Sequence, residues 1–150
     1  METLVMNDET NSITSFHLPK AVAELFEHLS RAIYSLSFSE GLNPAQWNAL
    51  RYLNRANPSS RTMSAFAKFH VTTRSTASQT LAALVRKKLI KKTRDSEDGR
   101  VIRLELTPKG RKLLERDPVN HLVAALATLP ADRQRVAADT VESLIKAEFA

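Results

Sequence analysis

The feature that most constrains this chain lies between Ser64 and Leu106. There, two short helical patterns separated by a three-residue connection run directly into two strand-like segments. Ser64 to His70 has the period of a short helix with Phe66, Ala67 and Phe69 inward. Val71-Thr72-Thr73 makes a tight turn, and Arg74 to Lys88 forms a longer helix that buries Ala77, Leu81, Leu84 and Val85. Helices joined by so short a turn form a helix-turn-helix. Leu89 to Thr93 and Val101 to Leu106 follow as a β-hairpin with the polar tip Asp95-Ser96-Glu97-Asp98-Gly99, the second run alternating Ile102, Leu104 and Leu106 against Arg103 and Glu105. A hairpin in that place is a wing. Thr72 or Thr73 can cap the second helix, whose opening turns present Thr73, Arg74, Ser75, Thr76, Ser78 and Gln79 away from the apolar stripe. Such side chains hydrogen-bond base edges and phosphates.

Charge follows the same boundaries. The formal net charge is +6, yet residues 61–112 alone carry +10, from fourteen Lys and Arg against four Asp and Glu, and each flank carries −2. A basic middle between slightly acidic flanks points to a module that faces a polyanion. Lys91, Lys92, Arg94, Arg100 and Arg103 place much of that charge on the hairpin.

The remaining chain supplies scaffolding. Met1 to Phe16 are polar and aperiodic, so residues 1–17 are expected to form a flexible arm. Ala21, Val22, Leu25, Phe26, Leu29, Ala32, Ile33 and Leu36 predict an amphipathic helix from Leu18 that ends near Gly41. Asn43-Pro44 is a helix start, and Trp47, Leu50, Tyr52 and Leu53 form the inner side of a helix stopped at Asn57-Pro58. Pro108, Pro118 and Pro130 open or restart the later helices. This gives a mainly α fold with a small hairpin: a winged helix-turn-helix over residues 42–107, and a helical dimerisation region from residues 18–41 and 108–150. The outer helices carry wider apolar strips than one small winged domain needs, and such strips mark an interface. Leu25, Leu29, Leu122, Leu126, Val141, Leu144, Ile145 and Phe149 are the expected dimer residues.

From Lys88-Leu89-Ile90 through Arg94-Asp95, Asp98-x-Arg100, Leu106-Thr107 and Gly110, the sequence resembles the MarR family of bacterial transcriptional regulators, and the resemblance covers about Leu18 to Phe149. It implies a homodimer with interdigitated terminal helices, bound to a pseudo-palindromic operator on double-stranded DNA and commonly released by a small ligand. Arg100 matches the wing arginine that enters the minor groove, and Asp98 the acid that braces it. Lys88 departs from the family, standing where Gly is usual.

Function classes narrow further by exclusion. The chain has no Cys, which removes disulfides, thiolate metal sites and thiol redox chemistry, and its three Gly cannot build a phosphate-binding loop or a dinucleotide fingerprint. No serine-hydrolase or zinc-protease motif is present, and the four His have no metal-ligand spacing. Neither an enzyme, a cofactor nor a metal site is expected. The longest apolar run, Leu122 to Ala127, is far short of a membrane span, and no positive charge precedes Lys20 to open a signal peptide, so a cytoplasmic protein associated with the nucleoid is expected. Tyr34, Phe38, Trp47 and Arg51 are candidates for an effector site suited to an aromatic or amphipathic acid, although single residues of these types are more often core. The reading is a homodimeric winged helix-turn-helix transcription factor that acts as a repressor; its rivals are an activator or ligand-independent regulator, and a winged-helix module that binds protein instead of DNA.

Overall fold

In a computed structural model the described residues are 14–149, with side chains from Leu18 to Glu148. The expected arm at residues 1–13 lies outside that range, as does the side chain of Phe149. The chain divides into two compact units at Leu36 and Ser37. The first contributes one helix, α1 (Thr14–Leu36). It starts four residues ahead of the expected Leu18, so residues 14–17 of the anticipated arm are helical.

The second unit runs α2 (Pro44–Arg55), a 3₁₀ turn (Pro58–Ser60), α3 (Met63–Phe69), α4 (Arg74–Arg86), β1 (Ile90–Arg94), β2 (Ile102–Leu106), α5 (Pro108–Leu113), a second 3₁₀ turn (Leu114–Arg116), α6 (Val119–Ala127) and α7 (Ala131–Phe149). Helix α2 begins in a capping box: the Gln46 amide donates to Asn43 Oδ1 at 2.9 Å and the Asn43 amide to Gln46 Oε1 at 3.2 Å. Its inner face buries Trp47, Leu50 and Leu53, which meet Leu81 and Leu84 of α4, Ile90 of β1 and Leu104 of β2 in one core. The strands are antiparallel, with Ile90 opposite Leu106, Lys92 opposite Leu104 and Arg94 opposite Ile102. Two expected inward residues differ: Phe69, at the end of α3, is largely exposed with its ring against Tyr52 and His70, and Ile102 lies beyond the edge of the core.

Both helices of the helix-turn-helix end in the same six-residue device. At α4, the Leu89 amide donates to the Leu84 carbonyl at 3.0 Å and the Lys88 amide to the Val85 carbonyl at 2.9 Å, with Lys88 at φ +59°. At α3, the Thr72 and Val71 amides donate to the Ala67 and Lys68 carbonyls, with Val71 at φ +48°. These are Schellman motifs whose left-handed position usually holds Gly. The missing Gly therefore leaves the fold intact at the cost of local strain, of about 1–2 kcal/mol per residue.

The Leu-Thr-x-x-Gly segment clamps the end of α4. The Thr107 amide donates to the Leu89 carbonyl at 3.0 Å and its hydroxyl to the Lys88 carbonyl at 2.8 Å, and the same hydroxyl oxygen accepts the Gly110 amide at 3.1 Å to cap α5. A Cβ on Gly110 would stand 2.1 Å from the Leu89 carbonyl oxygen, so only glycine permits this approach.

Candidate nucleic-acid interface

The interface is built on α4 and the wing. Thr73 caps α4, accepting the Thr76 amide at 3.1 Å, and the two hydroxyls bond each other at 2.9 Å. Ala77, Leu81 and Leu84 hold the inner side of the helix in the core, which turns Arg74, Ser75, Thr76, Ser78 and Gln79 to solvent. Thr73 and Thr76 are thus partly spent on the cap, whereas no hydrogen bond to another described residue holds the side chains of Arg74, Ser75, Ser78 and Gln79. The N-terminal end of α4 also carries the positive pole of the helix dipole, which favours a nearby phosphate.

The wing places Lys91, Lys92 and Arg94 on β1 with exposed side chains, Lys91 paired to Glu105 at 3.1 Å. At the tip, the Asp98 carboxylate accepts the Arg100 amide at 3.0 Å and stands 3.6 Å from the Arg100 guanidinium, whose side chain is 96% exposed. So open an ion pair adds little stability. Its geometric content is that the tip loop presents a guanidinium away from the body of the protein. Between α4 and the wing lies an open cleft of about 510 Å³, with Leu81, Ile102 and Leu104 on its floor and Ser78, Lys92 and Arg94 at its edge.

Arg103 behaves differently from the other wing cations. Its Nε donates to Asp95 at 2.7 Å and its Nη1 to the Ser59 carbonyl at 2.7 Å, so it is committed within the protein. The Asp98 amide, the Arg103 guanidinium and the Glu97 amide, in that order of effect, hold the Asp95 carboxyl down at about 2. Behind the helix-turn-helix, burial, and then the nearby Arg51 and Arg55, lower the pKa of His70. Burial raises that of Tyr52.

The effector candidates fare less well. Trp47 has no exposed surface, and its indole N–H is without a partner among the described residues. Arg51 donates to both oxygens of the buried Asp117, at 2.7 and 3.0 Å, and to Asn48 at 2.7 Å. In this structure, then, Trp47 is core and the Arg51 fork is filled by Asp117 and Asn48. Tyr34 and Phe38 are exposed, on the first and second units respectively. The sequence reading missed Asp117, which also accepts the Val119 amide at 2.9 Å and so starts α6. Its Asp-Pro context was a visible start signal, but nothing local announces a partner 66 residues away.

Residues 40–101 match the MarR family. The winged helix of this chain is a MarR-family domain. MarR proteins are DNA-binding transcriptional regulators, not enzymes, and the exposed side of α4 and the wing tip both fall inside the matched residues. Solved structures share the fold over nearly the whole chain. A MarR family protein from Bacillus stearothermophilus has a TM-score of 0.69 at 19% identity, covering 93% of this chain and 99% of that one. A MepR variant from S. aureus bound to an oligodeoxyribonucleotide gives 0.59 at 20%, covering 87% and 96%. The PcaV transcriptional regulator from Streptomyces coelicolor, in complex with its natural ligand, gives 0.63 at 24%, covering 97% and 99%. No curated protein matches the chain in sequence. Among the described residues no helix is long and apolar enough to cross a membrane.

Proposed function

We propose that this MarR-family regulator is a cytoplasmic homodimer that binds a two-fold symmetric operator on double-stranded DNA and represses transcription there. The observation that carries the reading is the unpartnered apolar surface of the outer helices. Leu25 and Leu29 on α1, Leu126 on α6, and Val141, Leu144 and Ile145 on α7 are exposed, and Leu122 is half-buried, although the winged domain already has a closed core. Apolar strips of this extent favour a second copy, and two-fold closure is the commonest arrangement. Symmetry would set the two α4 helices about 34 Å apart, to meet successive major grooves. The MepR–oligodeoxyribonucleotide structure supports the DNA partner.

In this reading Arg74, Ser75, Ser78 and Gln79 meet the major groove, with Thr73 and Thr76 at its edge. Lys91, Lys92 and Arg94 neutralise phosphate, and Arg100, with Asp98 beside it, enters the minor groove. Release by a small aromatic or amphipathic acid is the family-based part of the proposal, supported by the liganded PcaV structure. A ligand-independent regulator is the second reading, favoured by the burial of Trp47 and the engagement of Arg51 with Asp117.

Selection of bound duplexes from a random pool tests the proposal. An inverted repeat is expected, with half-sites about one helical turn apart. Gln79→Ala is expected to change the preferred bases, and Lys92→Ala to lower affinity for every sequence alike. A pool with no repeat, or an unchanged preference in Gln79→Ala, would contradict it.

A further inference from the structure

The base of the wing is seated in the core, but its outer half is not. Leu104 is buried, and its amide donates to the Arg61 carbonyl at 2.8 Å, which fixes β2 to the segment before α3. Beyond Leu104 the hairpin carries Thr93, Arg94, a half-buried Val101 and an exposed Ile102, none of them part of the core. A two-stranded ribbon has little stability of its own, so its outer half would swing unless another contact held it.

Among the described residues, the side chain whose hydrogen bonds join the outer half to the body is that of Arg103. Arg103 bridges the Asp95 carboxylate and the Ser59 carbonyl, both at 2.7 Å, and both members of the ion pair are mostly shielded from solvent. Each end is itself fixed. On one side, Ser59 lies in the 3₁₀ turn capped by Asn57, where the Tyr52 hydroxyl of α2 donates to the Ser60 carbonyl at 2.7 Å. On the other, Asp95 Oδ1 accepts the Glu97 and Asp98 amides at 2.9 and 3.0 Å, the Asp95 amide donates to the Val101 carbonyl, and Asp98 accepts the Arg100 amide. The bonds therefore run without a gap from α2 to the backbone of the tip.

We infer that Arg103 and Asp95 are a positioning pair for DNA binding: they tie the outer wing to the Pro58–Ser60 turn and so fix where Arg100 is presented. A charge-assisted fork suits this role because it sets direction as well as distance. The role differs from that of Lys91, Lys92 and Arg94, whose charges face solvent. The inference rests on the reading that Arg100 touches DNA, and the test separates the two.

The test is a double-mutant cycle between Arg103 and Arg100, with a duplex selected by the full chain as probe and binding measured at one salt concentration. Arg103→Ala is expected to weaken binding about fivefold to tenfold in the wild-type background and less than about twofold in Arg100→Ala, because a brace has no effect once its cargo is gone. Arg103→Lys keeps the charge and loses the planar fork, and is expected to lose most of the same affinity. Fluorescence of Trp47, the only Trp in the chain and wholly buried, reports whether each variant keeps its core; Arg103→Lys serves alone if Arg103→Ala does not fold. An equal loss in both backgrounds would show Arg103 acting at DNA by itself, and wild-type affinity in Arg103→Lys would show that charge alone suffices; either overturns the brace. Should Arg100→Ala itself bind like wild type, the wing reading fails and the brace with it. A loss in Arg100→Ala with none in Arg103→Ala refutes the brace alone.

Discussion

The winged domain and the outer helices use similar apolar residues to opposite ends. On α2, Trp47, Leu50 and Leu53 are closed off by α4 and the wing strands within the same chain. On α1, Leu25 is 69% exposed, and on α7, Ile145 is 54% exposed, and neither belongs to the core. An amphipathic period marks which face a helix will bury, and leaves unstated whether the cover comes from the same chain or another copy. The winged domain therefore closes its core within one chain, and the outer helices are where the proposed dimer would place its second copy.

Substitution should separate the halves most sharply in the core. Leu50→Ala empties a fully buried site and is expected to cost about 3–5 kcal/mol of unfolding free energy in urea titrations followed by Trp47 emission. Leu144→Asp, on the exposed strip of α7, is expected to leave that emission unchanged and shift the chain toward monomer. Loss of the Trp47 signal in Leu144→Asp would break the division. Next in size, Arg100→Ala is expected to weaken binding to a selected duplex by about 1–3 kcal/mol while stability is kept, since its side chain touches little but Asp98. Coincident titrations of variant and wild type would remove the wing arginine from the interface. Smallest is Lys88→Gly, which should relieve the left-handed strain at the end of α4 and raise stability by about 1 kcal/mol. A destabilised variant would show that Lys88 is not strained there.

How much of this was legible in the sequence follows from the range of each interaction. The helix-turn-helix, the wing and the exposed side of α4 were readable because each rests on local period, caps or a turn; Ala77 as inner residue followed from spacing, and the cap was narrowed to Thr72 or Thr73, of which the structure uses Thr73. Element ends were less so: Phe69, the last residue of α3, lies at the margin of the core with its ring against Tyr52 and His70 and the rest exposed. Contacts between distant residues were invisible. The Arg51 charge was readable but not its ion pair with Asp117, 66 residues away, and the Arg103 charge was readable but not its bonds to Asp95 and Ser59. In both cases the charge was apparent and the partner was not. The reason for Gly110 is of the same kind, since it lies in the Leu89 carbonyl packed against it.

The central claim is that one half of this molecule is complete and the other needs a second chain. Sedimentation of the full chain over a dilution series, with Trp47 emission recorded on the same samples, tests it most directly. The expected result is a dimer that dissociates on dilution, or in Leu144→Asp, to a monomer whose Trp47 emission stays that of a buried indole. A chain that is monomeric at every concentration would contradict it, as would a dimer whose dissociation exposes Trp47.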